Sequence, residues 1–326
     1  MNPFVSACLS SLRFGERQVF EGMTVFPILD GAAAGPEYVS LRQALEKGWL
    51  TVTEVSEGGS VPNLRVENAA DVGVLLLDGE ELVGAKQNRV LNTSVLLAPH
   101  SETIIPVSCT EAGRWSYVSP VFEDSDLVAA ASVRRMKSAS VTRSLEHTGE
   151  FQSDQVKVWD AIDAVASRAR AESPTRALRD VFLAKEKRLE EYQSAFPGLA
   201  EQKGLVACLG ETVLGLDLVS RPAVYAELHA KLVKSYAMEA ILQETPPAAH
   251  ASEDTARAFL AGLQAAEERT YPSVGLGTDY RYRAKELVAS ALVHENEVVH
   301  LAAFRAEAVE DTGTMSGFRS RRGFRV

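Results

Sequence analysis

Gly73-Val74-Leu75-Leu76-Leu77-Asp78-Gly79-Glu80-Glu81-Leu82-Val83-Gly84 decides the class of this chain. Val74 to Leu77 is a short continuous apolar run, the length of a buried strand rather than of a helix. Asp78-Gly79 is a hairpin signal, because glycine adopts the positive φ that tight turns need. Leu82-Val83 resumes the strand. Outward from this point, Val90 to Leu97 alternates loosely until Ala98-Pro99 stops it. Thr103 to Val107 is a further strand, with Pro106 at an edge or an end. Residues 22–29 and 49–55 add two strands, and Tyr38 to Lys47 reads as a short helix between them. Residues 1–125 are therefore read as β-rich.

The middle of the chain, 155–200, changes period. Gln155 to Ala171 places Val156, Trp159, Ile162, Ala166 and Ala169 at helical spacing. Ser173-Pro174 then predicts a second helix, with Ser173 as N-cap and Pro174 at the first position, running to Phe196 before Pro197-Gly198. Residues 204–305 are mixed. Leu205–Leu209 and Val213–Val219 flank Gly210-Glu211 as a hairpin, and Leu287–Val293 and Val298–Phe304 flank Glu295-Asn296 as another. Between them lie long helices over Pro222–Gln243 and Thr255–Glu268. Gly73, Gly79-Glu80, Leu82 and Gly84 match Gly204, Gly210-Glu211, Val213 and Gly215 at identical spacing. Either any tight hairpin looks so, or β units are repeated. The expectation is an α+β fold: a β-rich core, sandwich or barrel-like, with four to five helices, in one domain over 1–310. Residues 311–326, with four Arg among Gly, Ser and Phe, are read as a disordered basic tail.

The chain has 326 residues, a formal net charge of −10, 46% hydrophobic and 24% charged residues. Those values are ordinary for a globular protein and exclude collagen, a disulfide scaffold and a long coiled coil. The acidic balance argues against a specific nucleic-acid partner. No apolar run reaches the roughly 20 residues of a membrane helix. Three cysteines without a CxxC pair, and six scattered histidines, give no metal set and imply no cofactor. A reduced, cytoplasmic setting is the default expectation.

Two clusters carry chemistry. In Gly84-Ala85-Lys86-Gln87-Asn88-Arg89, alternation would put Lys86 and Asn88 on one face and Gln87 and Arg89 on the other. Lys and Arg can grip phosphate or carboxylate, and the two amides can orient a base or an amide. In Pro106-Val107-Ser108-Cys109-Thr110-Glu111-Ala112-Gly113-Arg114-Trp115, a thiol, an acid and a guanidinium crowd one turn. Cys109 is either a nucleophile or an inert buried thiol. Trp115 reads as core, and His300, inside an apolar strand, as a satisfied core histidine. Asp217, Arg221, Tyr225, Tyr236 and the run Gly275 to Arg281 are further polar candidates.

Together the run Gly79 to Arg89, Pro106-Val107-Ser108-Cys109, Glu111 and Gly113-Arg114-Trp115 resemble the ARG and rhodanese-phosphatase-associated protein domain family, over roughly Phe14 to Phe304. The resemblance implies functional association with ADP-ribosylglycohydrolases and rhodanese-like phosphatases, and no established reaction. Its family-like polar positions are Glu80, Lys86, Gln87, Asn88, Arg89, Cys109, Glu111 and Arg114. The expectation drawn from residues and resemblance together is binding, with or without processing, of a small anionic or phosphorylated ligand, nucleotide- or ADP-ribose-derived. Lys86 with Arg89 or Arg114 would hold phosphate, Gln87, Asn88 and Glu80 would complete the site, and Glu111 or Cys109 would serve any catalysis. The competing expectation is a non-catalytic interaction module. There the same polar clusters are internal ion pairs, Glu80 or Glu111 with Arg89 or Arg114.

Overall fold

Tight turns shape the largest of three sheets. Gly210 takes φ +59°, and Glu295 and Asn296 take +49° and +66°, positive values that match the right-handed twist of paired strands. They close the two expected hairpins, Gln202–Leu209 with Thr212–Val219 and Leu287–His294 with Glu297–Arg305. The computed structural model describes residues 1–29, 35–56 and 61–306. The 311–326 tail lies outside them.

The hairpins join Thr278–Ala284 and Glu267–Pro272 on one side and Met23–Leu29, Gln18–Phe20 and Arg13–Phe14 on the other, giving nine antiparallel strands. One face of this sheet carries the helix Pro222–Ile241, opened by Pro222 at its first position. Val25, Leu205, Ala207, Leu228, Leu232 and Tyr236 share the apolar layer between them. The other face is covered by the helices Pro3–Ser11 and Glu253–Gln264, which Asn2 and Ser252 cap at their N-termini.

The β-rich first part folds as two smaller sheets. Phe122–Val128, Glu80–Gly84, Arg89–Leu91, Ser101–Cys109, Asn63–Asn68 and Leu50–Glu54 form a six-stranded sheet in that order. It curls until its first and last strands face each other across a cleft of about 540 Å³ lined by Leu50, Val52, Phe122 and Asp124. Val95–Leu97, Gly73–Leu76 and Tyr38–Ser40 form the third sheet. The fold is α+β and β-rich, as expected, with eight helices among the described residues rather than four to five.

Several local expectations change. Gly73–Leu76 and Glu80–Gly84 do not pair as a hairpin: the first belongs to the three-stranded sheet, the second to the six-stranded one. The turn is real, since Gly79 takes φ +87°, but it passes the chain between sheets. A Cβ at Gly79 would lie 2.8 Å from Arg134, so this crossing needs glycine twice over. The spacing shared with 204–215 therefore does not mark two equivalent hairpins. Residues 38–40 are a strand, and the helix covers only Leu41–Glu46. The helix expected from Ser173 to Phe196 is two, Leu178–Ala184 and Glu186–Ala195. Ser173 Oγ is spent instead on the amide of Ala177 (2.8 Å) and on Asp180. The run 275–281 is half strand, and Gly275 makes room for the backbone of Leu96, 2.3 Å from where a Cβ would sit.

Candidate functional site

The first cluster is a turn, not a strand. The strand Glu80–Gly84 ends where Gly84 and Ala85 take φ +133° and +40°. The alternation expected for Lys86 to Arg89 is broken there, and Lys86 stands at the tip. The second cluster continues the long strand Ser101–Cys109, whose Cys109 lies opposite Arg89. Strand pairing thus carries both clusters to the same end of the six-stranded sheet.

There they close on each other. Thr110 N donates to Asn88 O (3.0 Å), and the Gln87 side-chain amide donates to Glu111 O. Asn88 N donates to Glu111 Oε2 (3.3 Å). Arg114 uses its whole fork: Nε to Glu111 Oε2 (2.8 Å), Nη1 to Ala85 O (2.9 Å) and Ser116 O (3.0 Å), Nη2 to Asn88 Oδ1 (3.0 Å). Burial pushes the Glu111 carboxyl up, but hydrogen bonds from Arg114, Thr175 and the Asn88 amide outweigh it and hold the group below the usual carboxylate range. Glu111 is an ionised strut between two loops. Gln87, Asn88 and Glu111 are buried, and the four clefts described on the surface are lined by other residues.

Glu80 is placed elsewhere. Its carboxylate accepts from Leu77 N (2.8 Å) and from Lys231 Nζ (2.9 Å), which also binds Asp124 at 2.7 Å. Of the ion pairs foreseen for an interaction module, Glu111 with Arg114 is made, and Lys231 takes the place of Arg89 or Arg114 at Glu80. Cys109 is buried, its peptide group held by the Gln155 side chain at 2.7 and 2.9 Å. Burial pushes its thiol up to about 11, the opposite of what a nucleophile needs.

What remains open to solvent is aromatic. Trp115 and Tyr117 are 45% and 52% exposed, so Trp115 is not the core residue its type suggests. The Lys86 ammonium stands 5.6 Å from the Trp115 ring centroid and 4.9 Å from that of Tyr117, within cation–π range. The loop that carries both rings is tied to the Lys86 turn by Ser116 N to Lys86 O (3.2 Å) and Val118 N to Ala85 O (3.0 Å). Tyr117 was not foreseen from sequence; an aromatic two residues beyond Trp115 in a polar loop was the available signal.

A second polar cluster sits where the sheets and the helix Ala131–Thr148 meet. Arg134 grips Asp217 with two bonds of 2.8 and 2.6 Å, and Tyr236 donates to the same carboxylate (2.7 Å). His300 Nε2 is 3.4 Å from Asp217, and its Nδ1 is hydrogen-bonded to Ser94 Oγ at 2.7 Å. Lys137 binds Asp78 and Asn92 O, and Arg281 binds Asp279 and Thr93. Ser94, His300 and Asp217 have the connectivity of a hydrolytic triad. All three are buried, Ser94 Oγ already accepts from Asp78 N (2.8 Å), and Arg134 neutralises Asp217, so the arrangement consolidates the core. His300 is the satisfied core histidine expected. Tyr225 Oη accepts from Gln202 Nε2 (2.9 Å) and is hydrogen-bonded to His229 Nδ1 (3.0 Å), and Arg221 reaches Pro36 O (3.3 Å). Among the described residues no group of three metal-binding side chains converges, and no helix is long and apolar enough to cross a membrane.

No curated protein and no solved structure matches the chain. The family model that does match covers residues 11–304 and so contains every element described except the N-terminal helix, of which it reaches only Ser11, and the last residue of the final strand, Arg305. The chain belongs to the ARG and Rhodanese-Phosphatase-superfamily-associated Protein domain family.

Proposed function

We propose that the chain is a small-molecule binding module that takes an anionic, ring-bearing ligand of the nucleotide class on the rim formed by Lys86, Trp115 and Tyr117. The observation that carries this reading is two large aromatic side chains, about half exposed, both within cation–π range of one ammonium group. Exposed aromatics of this size offer a face on which a base can stack, and one stacked base contributes about 1–3 kcal/mol. Lys86 supplies a point charge for phosphate. The buried framework of Gln87, Asn88, Glu111 and Arg114 acts by holding both loops in register before the ligand arrives, which lowers the ordering cost of binding. The family's name, with its link to ARG and rhodanese-phosphatase superfamilies, is why ADP-ribose belongs among the ligands to try. No reaction is assigned.

Isothermal titration with ADP-ribose, AMP, GMP and ribose 5-phosphate tests the reading. Ring-bearing ligands should bind, ribose 5-phosphate should bind far more weakly, and Trp115→Ala and Lys86→Ala should each weaken binding about tenfold. A second reading, an interaction module with no small ligand, is supported by the internal pairing of Glu111 with Arg114 and of Glu80 with Lys231. It predicts no heat of binding from any of the four.

A further inference from the structure

Behind Trp115 lies a pair of side chains that the rim does not use. Arg89 opens the strand Arg89–Leu91, and its side chain is fully buried. Its Nη1 donates to the main-chain oxygen of Gln87 (3.0 Å) and to Gln87 Oε1 (3.1 Å). Its Nε and Nη2 have no hydrogen-bond partner among the described residues. The acid nearest them in the ion-pair network is Glu54, at the end of the strand Leu50–Glu54. Its Oε1 is 3.6 Å from Nη2, beyond hydrogen-bond length, and its side chain is only 4% exposed. Both Glu54 oxygens are likewise buried and without a hydrogen-bond partner. Arg89 and Glu54 thus form a buried ion pair in which two donor atoms and two acceptor atoms make no hydrogen bond, in a protein interior where such groups nearly always make one. The Trp115 ring centroid is 5.6 Å from the Arg89 guanidinium carbon, so the half-exposed indole lies against the arginine end of this pair.

We infer that Arg89 and Glu54 read the edge of a guanine-type ring; the inference rests on the ring-binding reading of the rim given above. The guanine edge sets one acceptor, O6, beside two donors, N1–H and N2–H. Arg89 Nε and Nη2 would donate to O6, and the two Glu54 oxygens would accept from N1 and N2. One rigid ring then satisfies all four orphaned atoms. Adenine offers a single donor beside a single acceptor and leaves two of them unpaired. Hypoxanthine lacks the N2 amine and leaves one Glu54 oxygen unpaired. A bare phosphate is the wrong guest here, because Glu54 would repel it; the phosphate of a nucleotide belongs at Lys86. The ring enters where Trp115 now lies, and the indole turns outward to stack on it, a side-chain movement that an exposed residue makes readily.

The test is isothermal titration of the full chain with GMP, IMP and AMP at one ionic strength. GMP should bind about tenfold or more tightly than AMP, the discrimination expected of a bidentate contact to a base edge, with IMP between them. Glu54→Gln replaces an acceptor by a donor at constant size, and should remove most of the preference for GMP over AMP. Equal affinities for GMP and AMP in the natural protein overturn the inference, and are the result if the pair merely traps a water. If those equal affinities still fall on Trp115→Ala, the rim reading stands alone; if no nucleotide binds, both fail. Should Glu54→Gln not fold, the GMP and IMP affinities of the natural protein decide, because only the N2 amine separates the two: indistinguishable values overturn the inference.

Discussion

The cluster around Asp217 and the rim around Trp115 use similar residue types and differ in what surrounds them. At Asp217, Arg134 and Tyr236 close on one carboxylate, with every side chain buried. At the rim, Arg114 closes on Glu111 in the same way, but the next residues outward are two half-exposed rings and a lysine. A buried ion pair with all its partners is a structural joint, costly to break from one side. The same joint at the edge of a sheet becomes a mount that presents whatever the adjoining loop carries. Position in the fold, more than residue type, separates the two roles.

Asp217→Ala should be the most damaging change, because it leaves the Arg134 guanidinium buried without its acid. A loss of about 3–5 kcal/mol in denaturant unfolding is expected. A loss under 1 kcal/mol would mean that the inner cluster is not a joint. Glu81 provides a pH test of about 3 kcal/mol. Burial pushes its carboxyl up from 4.5 to about 7, against hydrogen bonds from Thr110 and Ser125. The folded form therefore holds a proton that the unfolded chain releases, and this group's contribution is present below about pH 4.5 and lost as pH rises through 7. The stability of Glu81→Gln relative to the natural protein should rise between pH 5 and 8; a flat difference would contradict the burial effect. Asp217, held low by Arg134 against its burial, acts in the opposite sense, with its contribution lost only as pH falls well below 4.

Arg114→Ala should cost about 2 kcal/mol, since Glu111 and Asn88 lose their partner near the surface rather than deep inside. Its ligand affinity should fall with it, because the loop loses its mount. Trp115→Ala sharpens the contrast. Stability should change by no more than about 0.5 kcal/mol, as for other exposed positions, while nucleotide affinity falls about tenfold. A large stability loss with unchanged affinity would assign Trp115 to the joint and not to the rim.

Much of the large sheet is legible in the sequence because Gly210 and Glu295-Asn296 mark turns whose flanking strands are next to each other in the chain. The helix Ala131–Thr148 is not legible at all. Its buried face includes Arg134, Lys137, Ser138, Ser140, Thr142 and Ser144, so the apolar stripe that announces a helix is missing. Its partners, Asp78 and Asp217, are supplied from a distant turn and a distant strand. The Asp78-Gly79 turn is legible, but turn chemistry does not say which sheet each strand joins. At the site, the meeting of the Lys86 turn with the Glu111–Arg114 segment follows from two local clusters on neighbouring strands. The partners of Glu80 and Arg89 do not, because Lys231 lies 151 residues away and Glu54 is an ordinary strand-end acid until the sheet curls.

The central claim is that the rim holds a ring against Trp115. Tryptophan fluorescence of the full chain, titrated with GMP, tests it directly, since Trp115 is the exposed indole and Trp49 and Trp159 report the background. The account predicts saturable quenching that disappears in Trp115→Phe while that variant keeps its melting temperature. Quenching that is equal in both proteins, or that never saturates, would contradict it.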